Sequence, residues 1–259
     1  MLSHRLLEDY HLDLLFAALE RLHAAPAAGP VPSREALAAD HLAQLHESLA
    51  AYEVFSALPD AQRVADVVAR RVEAYAADAA ALRCVSLVHG HCLLSNALLE
   101  SSNVLRLLSA RGSLVQGQGA GPLPASASSS ASASASASAA AAALPSDASA
   151  GPSLSLGGDP LVDFARVCQS LLGFDEIALG VRRAPDAYRE ALAAAFVARL
   201  RARSLPVGHV LTLALLGIVT SLGAEPDTAR RAELFSLARG LALPSEADAR
   251  SAALAALFV

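Results

Sequence analysis

The chain has 259 residues, of which 60 are alanine and 45 leucine; lysine is absent and all 20 basic residues are arginine. A hydrophobic fraction of 54% with only 17% charge exceeds what a disordered chain carries, so a globular protein with a real core is expected. Twenty-five acidic residues leave a net charge of −5, which excludes the strongly basic footprint of a general DNA-coating protein.

Cys84, Cys92 and Cys168 are an odd number without framework spacing and argue against a disulfide-stapled secreted domain. The stretch Met1 to Tyr10 meets Glu8 and Asp9 too early for a signal peptide or an Arg-rich transit peptide, so no targeting peptide is expected there.

In chain order, Leu7, Leu12, Leu15, Phe16 and Leu19 fall at helical spacing and predict an amphipathic helix within Leu2 to Leu22. After a break from Pro26 to Pro32, Ser33 begins a second helix with Leu37, His41, Leu45 and Leu49 on one face. Pro59-Asp60 starts a third, through Val64, Val67, Val68 and Val72. Two further helices, about Ala80 to Leu99 and Ser102 to Ala110, complete a helical block expected over residues 1–111, and no stretch is read as a strand.

The pattern then changes to Gly-Gln-Gly-Ala-Gly-Pro and an Ala/Ser tract from Ala125 to Ala143. Such a tract lacks the large apolar groups that offset ordering entropy, so residues 112–158 are expected to be a disordered low-complexity linker.

Residues 159–259 form a second helical block with clearer punctuation. Asp159 reads as an N-cap, with Pro160 at the first helical position and Gly173 past the end. Pro206 and Gly223 bracket another helix, Pro226 and Gly240 a third, and Ser245 to Asp248 resembles a capping box. Helices starting near 206, 226 and 245 give a two-helix unit of about 39 residues, within the range of helical repeats. The fold class is therefore read as all-α, with helical hairpins stacked as an α-solenoid-like array and interrupted by the linker.

Few motifs carry chemistry. His89-Gly90-His91-Cys92-Leu93-Leu94-Ser95-Asn96 superficially resembles the catalytic loop of aminoglycoside-phosphotransferase-like kinases. His91 stands where the proton-accepting aspartate belongs, and no metal-binding Asp motif or Gly-rich phosphate loop accompanies it. Cys84, His89, His91 and Cys92 are zinc-type side chains, but on a helix His89 points away from the face shared by the other three, so no metal site is expected. Nothing assembles an acid, a base and a nucleophile; a non-enzyme without cofactors is expected.

Two segments bear on partners. Ser204 to Ala224 is uncharged and long enough to consider as a membrane span. Pro206, Gly208, His209 and Thr212 dilute it, and the Pro start and Gly stop fit a fully buried inner helix instead. Residues 181–203 hold six arginines against two acids; Arg182, Arg183, Arg199, Arg201 and Arg203 are the candidate RNA contacts, and a solvated helix end is the alternative.

From Tyr188 to Gly240 an Ala/Leu/Arg helix, a turn, the run Val210 to Gly223 and a further helix follow one another. This stretch resembles the degenerate helical repeats of organelle RNA-metabolism proteins: the octotricopeptide and heptatricopeptide families and the FAST-kinase-like proteins that carry a RAP domain. No RAP domain is recognised here. The resemblance implies an α-solenoid presenting a concave face to RNA or to a protein in a mitochondrion or plastid, with no catalytic residues. A helical-repeat binding protein of organellar RNA metabolism is thus the first expectation. A protein scaffold or assembly subunit is the second, and a membrane-associated protein through 204–224 the third; DNA is not expected as a partner.

Overall fold

A computed structural model describes residues 7–25, 34–51, 58–78, 86–101, 104–108, 113–114, 154–155, 157–181 and 186–244, and among these the protein is mostly helical. The described helices are α1 (Asp9–His23), α2 (Arg34–Ala51), α3 (Ala61–Ala77), α4 (Leu161–Leu172), α5 (Phe174–Ala178), α6 (Asp186–Ala202), α7 (Val207–Ser221) and α8 (Thr228–Ala242). Short strands β1 (Ser86–Leu87), β2 (Ala97–Ser101), β3 (Val104–Leu107), β4 (Ser113–Leu114), β5 (Leu154–Ser155) and β6 (Gly157–Gly158) pair antiparallel as β1 with β6, β2 with β3 and β4 with β5.

The core is organised around α7. Its residues from Val210 to Val219 are all buried, because apolar side chains surround its axis and leave no polar stripe to face water. α7 packs against α2, α3, α4, α6 and α8, most extensively against α4. One apolar cluster therefore joins residues of the first block, such as Phe16, Val68 and Tyr75, to Phe164, Leu171, Phe196 and Leu215 of the second. The Phe16 ring lies 5.1 Å from that of Phe164 and 5.5 Å from that of Phe196, which pins α1 to α4 and α6. Among the described residues no helix is long and apolar enough to cross a membrane.

The helix ends follow the sequence punctuation with one exception. The Asp159 carboxylate accepts from the Leu161 N–H at 2.8 Å, and Gly173 closes α4 at φ +100°, a left-handed conformation that side chains rarely adopt. α8 is capped by Asp227, whose side chain accepts from the Arg230 N–H at 2.9 Å. It does not stop at Gly240. Leu241 and Ala242 are buried, and their burial keeps the chain helical past a residue that costs only about 1 kcal/mol in a helix interior.

Between residues 86 and 108 the structure replaces both expected helices. The chain runs through β1, an irregular segment, a single 3-10 turn at Leu94–Asn96 and the β2–β3 hairpin. Leu105 and Leu107 pack on the core while Arg106 and Leu108 face out, a period of two that helical spacing cannot supply.

The expected linker is tied at its described ends. Ser113 pairs with Ser155 and Leu114 with Leu154, while Gly158 pairs with Ser86. Residues 115–153, which hold the Ala/Ser tract, and the capping box at 245–248 lie outside the described residues.

Candidate functional site

Of the arginines read as RNA contacts, Arg199 and Arg201 sit on α6, beside α1, and Arg203 lies just past its end. Arg182 and Arg183 lie outside the described residues, and Arg201 is exposed in the last turn. Arg199 is engaged with two acids at once. Its Nε and Nη2 donate to Asp13 at 2.8 Å each, and its Nη1 and Nη2 donate to the Asp9 carboxylate at 2.9 and 3.0 Å. The guanidinium holds the Asp13 carboxyl below the usual carboxylate range, and the bonds to Asp13 and Asp9 push Arg199 further up. Arg203 pairs through Nε with Glu20 and lies 4.6 Å above the Phe16 ring.

Asp9, Asp13 and Glu20 recur at four and seven residues along α1, so they share one face, and that face receives α6. Exposed ion pairs contribute little each, about 0 to 1 kcal/mol. Their importance here is to charge balance: the positive segment closes on an acidic stripe of the same chain. Counting charge within 181–203 alone could not find this; the spacing of the acids in α1 was the available signal.

A second polar cluster lies where the first block meets α4. Asp163 is fully buried and accepts from the backbone N–H groups of His89 at 2.8 Å and Gly90 at 2.7 Å, with His23 Nε2 at 3.0 Å. Two backbone donors and an imidazole thus compensate a carboxylate that would otherwise be costly to bury. Tyr75 donates its hydroxyl to Asp159, whose carboxyl burial pushes up while this bond and the Leu161 N–H pull it down. His209 Nε2 is 2.9 Å from Asp78. Asp175 accepts from Ser95 N–H at 3.0 Å and Ser170 Oγ at 2.8 Å, and burial pushes its carboxyl up.

The His89 to Asn96 motif therefore straps the chain onto α4. Its first two amides donate to Asp163, and the Leu94 N–H donates to Ser170 Oγ at 2.9 Å. His89, His91 and Cys92 are not on a helix, so the helical geometry assumed for the zinc reading does not hold. Burial pushes the Cys92 and Cys168 thiols up, which suppresses the thiolate both for metal binding and for attack; Cys84 lies outside the described residues. Among the described residues no group of three or more His, Cys, Asp or Glu side chains could hold a metal ion.

No family model, curated protein or solved structure matches this chain significantly.

Proposed function

We propose that this chain is a non-enzymatic helical binding protein whose partner is a protein. The observation that carries the reading is the closure of Arg199 and Arg203 on Asp9, Asp13 and Glu20, which neutralises much of the positive segment from which RNA contact was expected. Phosphate binding needs arginines free to displace the counterions condensed on a nucleic acid, and an acidic chain with Arg199 and Arg203 engaged internally is poorly suited to it. Apolar surface points the same way. Leu98 and Leu108 are exposed on the outer face of the β2–β3 hairpin, either side of Arg106, where a protein can cover them and a phosphate backbone cannot.

Stacked hairpins with a concave face are the finer architecture that the resemblance implies. α6 on α7 and α7 on α8 supply that sequential packing, while the further contacts of α7 with α2, α3 and α4 favour a closed bundle, since units of an array touch only their neighbours. An organellar setting belongs to the proposal through the resemblance of Tyr188 to Gly240 alone. Crosslinking in cells, followed by purification under denaturing conditions, tests the reading. Covalently attached protein, with crosslinks on the hairpin, is expected; RNA attached to α6 would replace it with the RNA reading.

A further inference from the structure

Between α2, α4 and α7 lies a cavity of about 40 Å³, lined among others by His41, Gln44, Arg166, Leu216, Gly217 and Thr220. On this scale one water needs roughly 10 to 15 Å³, so the space accepts a group of about three heavy atoms. Arg166 reaches it from α4. Its Nη1 donates to Gln169 Oε1 at 3.0 Å, and Gln169 Nε2 in turn donates to the Ala214 carbonyl on α7 at 2.8 Å. Gly217 makes this arrangement possible: a Cβ there would collide with the Gln169 amide and stand 2.8 Å from Arg166 Nη1.

The guanidinium is positioned in this way but not neutralised. Among the described residues no carboxylate comes within ion-pair distance of it, whereas Arg189, Arg199, Arg203, Arg230 and Arg239 each have one. Of the acids that act on Arg166 through space, Asp163 directs both oxygens to His23, His89 and Gly90, and Asp175 gives Oδ2 to Ser95 and Ser170 while its Oδ1 is buried without a hydrogen-bond partner, beyond ion-pair distance of the guanidinium. His41 faces the same cavity from α2, and both of its ring nitrogens are shielded from solvent without a hydrogen-bond partner. Buried polar atoms are rarely left so, and an unpaired cation beside them compounds the cost.

We propose that this cavity is a binding site for a carboxylate, taken into the fork of Arg166 and against the imidazole N–H of His41. An oxyanion answers both deficits at once, supplying charge to the guanidinium and an acceptor to the imidazole. The planar fork suits carboxylate and phosphate alike, but the three-atom volume selects the carboxylate. The source is either a small free acid or the acidic side chain or chain end of another polypeptide. The site stands independently of the partner class proposed above.

The test titrates acetate, against chloride at constant pH and ionic strength, into the full chain. Backbone and side-chain NMR signals of His41, Gln44 and Thr220 are followed together with the thermal midpoint. A saturable shift at those residues is expected, weakened about tenfold or more in Arg166→Gln and retained in Arg201→Gln. Should Arg166→Gln fail to fold, Thr220→Leu, which fills the cavity without removing the charge, must abolish the shift. A short peptide with a free C-terminal carboxylate run alongside separates the sources: tighter binding than acetate assigns a polypeptide ligand, equal binding a small free acid. The proposal is overturned if the wild type shows no saturable shift, if Arg166→Gln responds equally, or if inorganic phosphate saturates the site and acetate does not.

Discussion

Acidification from about pH 7.5 to about pH 5 should destabilise the wild-type protein by about 2 kcal/mol more than it destabilises His41→Gln. Burial, and secondarily the Arg166 cation, draw the His41 pKa down from 6.5 to about 4. Between those values the unfolded chain binds a proton that the folded protein does not. Stability from this group is therefore whole above the unfolded pKa and is lost as pH falls toward the folded one. At about 1.4 kcal/mol per unit the full loss is about 3 kcal/mol, and at pH 5, where the folded imidazole is still mostly neutral, about 2 kcal/mol of it has occurred.

The groups facing the ring are Arg166 from α4 and Tyr75 from α3 at a centroid distance of 6.3 Å; the α7 residues lining the cavity do not titrate. Asp159 and Asp175, with carboxyls pushed up by burial, act in the opposite sense and gain stability on acidification, so the comparison with His41→Gln cancels them. Denaturant unfolding of both proteins at both pH values reads the difference directly. Responses equal within about 0.5 kcal/mol would refute the burial of a neutral His41 beside Arg166.

Three further outcomes follow from the packing. Leu215→Ala, at a fully buried position of α7, should cost about 2 to 5 kcal/mol in denaturant unfolding; an unchanged midpoint would deny α7 its central place. Gly217→Ala should destabilise by about 2 kcal/mol or more through the displaced Gln169, whereas Gly208→Ala, with nothing within 4 Å of the new methyl, should be neutral or stabilise by up to about 1 kcal/mol. Calorimetric midpoints that rank the two glycines the other way would contradict the close α4–α7 contact. Asp163→Ala leaves the buried amides of His89 and Gly90 without their acceptor and should cost on the order of 2 to 4 kcal/mol, with amide exchange at those two residues accelerated; unchanged exchange would sink the strap reading.

The helical blocks were legible because their signals are local. Leu12, Leu15, Phe16 and Leu19 in α1, and Val64, Val68 and Val72 in α3, are buried as their spacing requires, and Asp159 and Gly173 punctuate α4 where expected. The β2–β3 hairpin was not, since Leu98, Leu99, Leu105 and Leu107 in a leucine-rich chain satisfy helical and strand periods over so short a run. The sites were less legible still. That Arg199 meets Asp9 and Asp13 across some 190 positions, or that Gly217 clears a path for Arg166 and Gln169, depends on helix packing that no local pattern encodes. Helical spacing puts His41 on the face of Leu37 and Leu45, but that face meets a cation from α4 that only the fold brings near.

RNA binding by the purified wild-type protein in a filter assay at about 20 mM salt, where screening is weakest, tests most directly the claim that Arg199 and Arg203 serve α1 rather than a nucleic acid. No saturable retention by the wild type is expected. Measurable, salt-sensitive retention should appear once Asp9→Asn and Asp13→Asn together release Arg199. Saturable wild-type binding that falls steeply with salt, and that weakens in Arg199→Gln with the helical content unchanged, would contradict the claim.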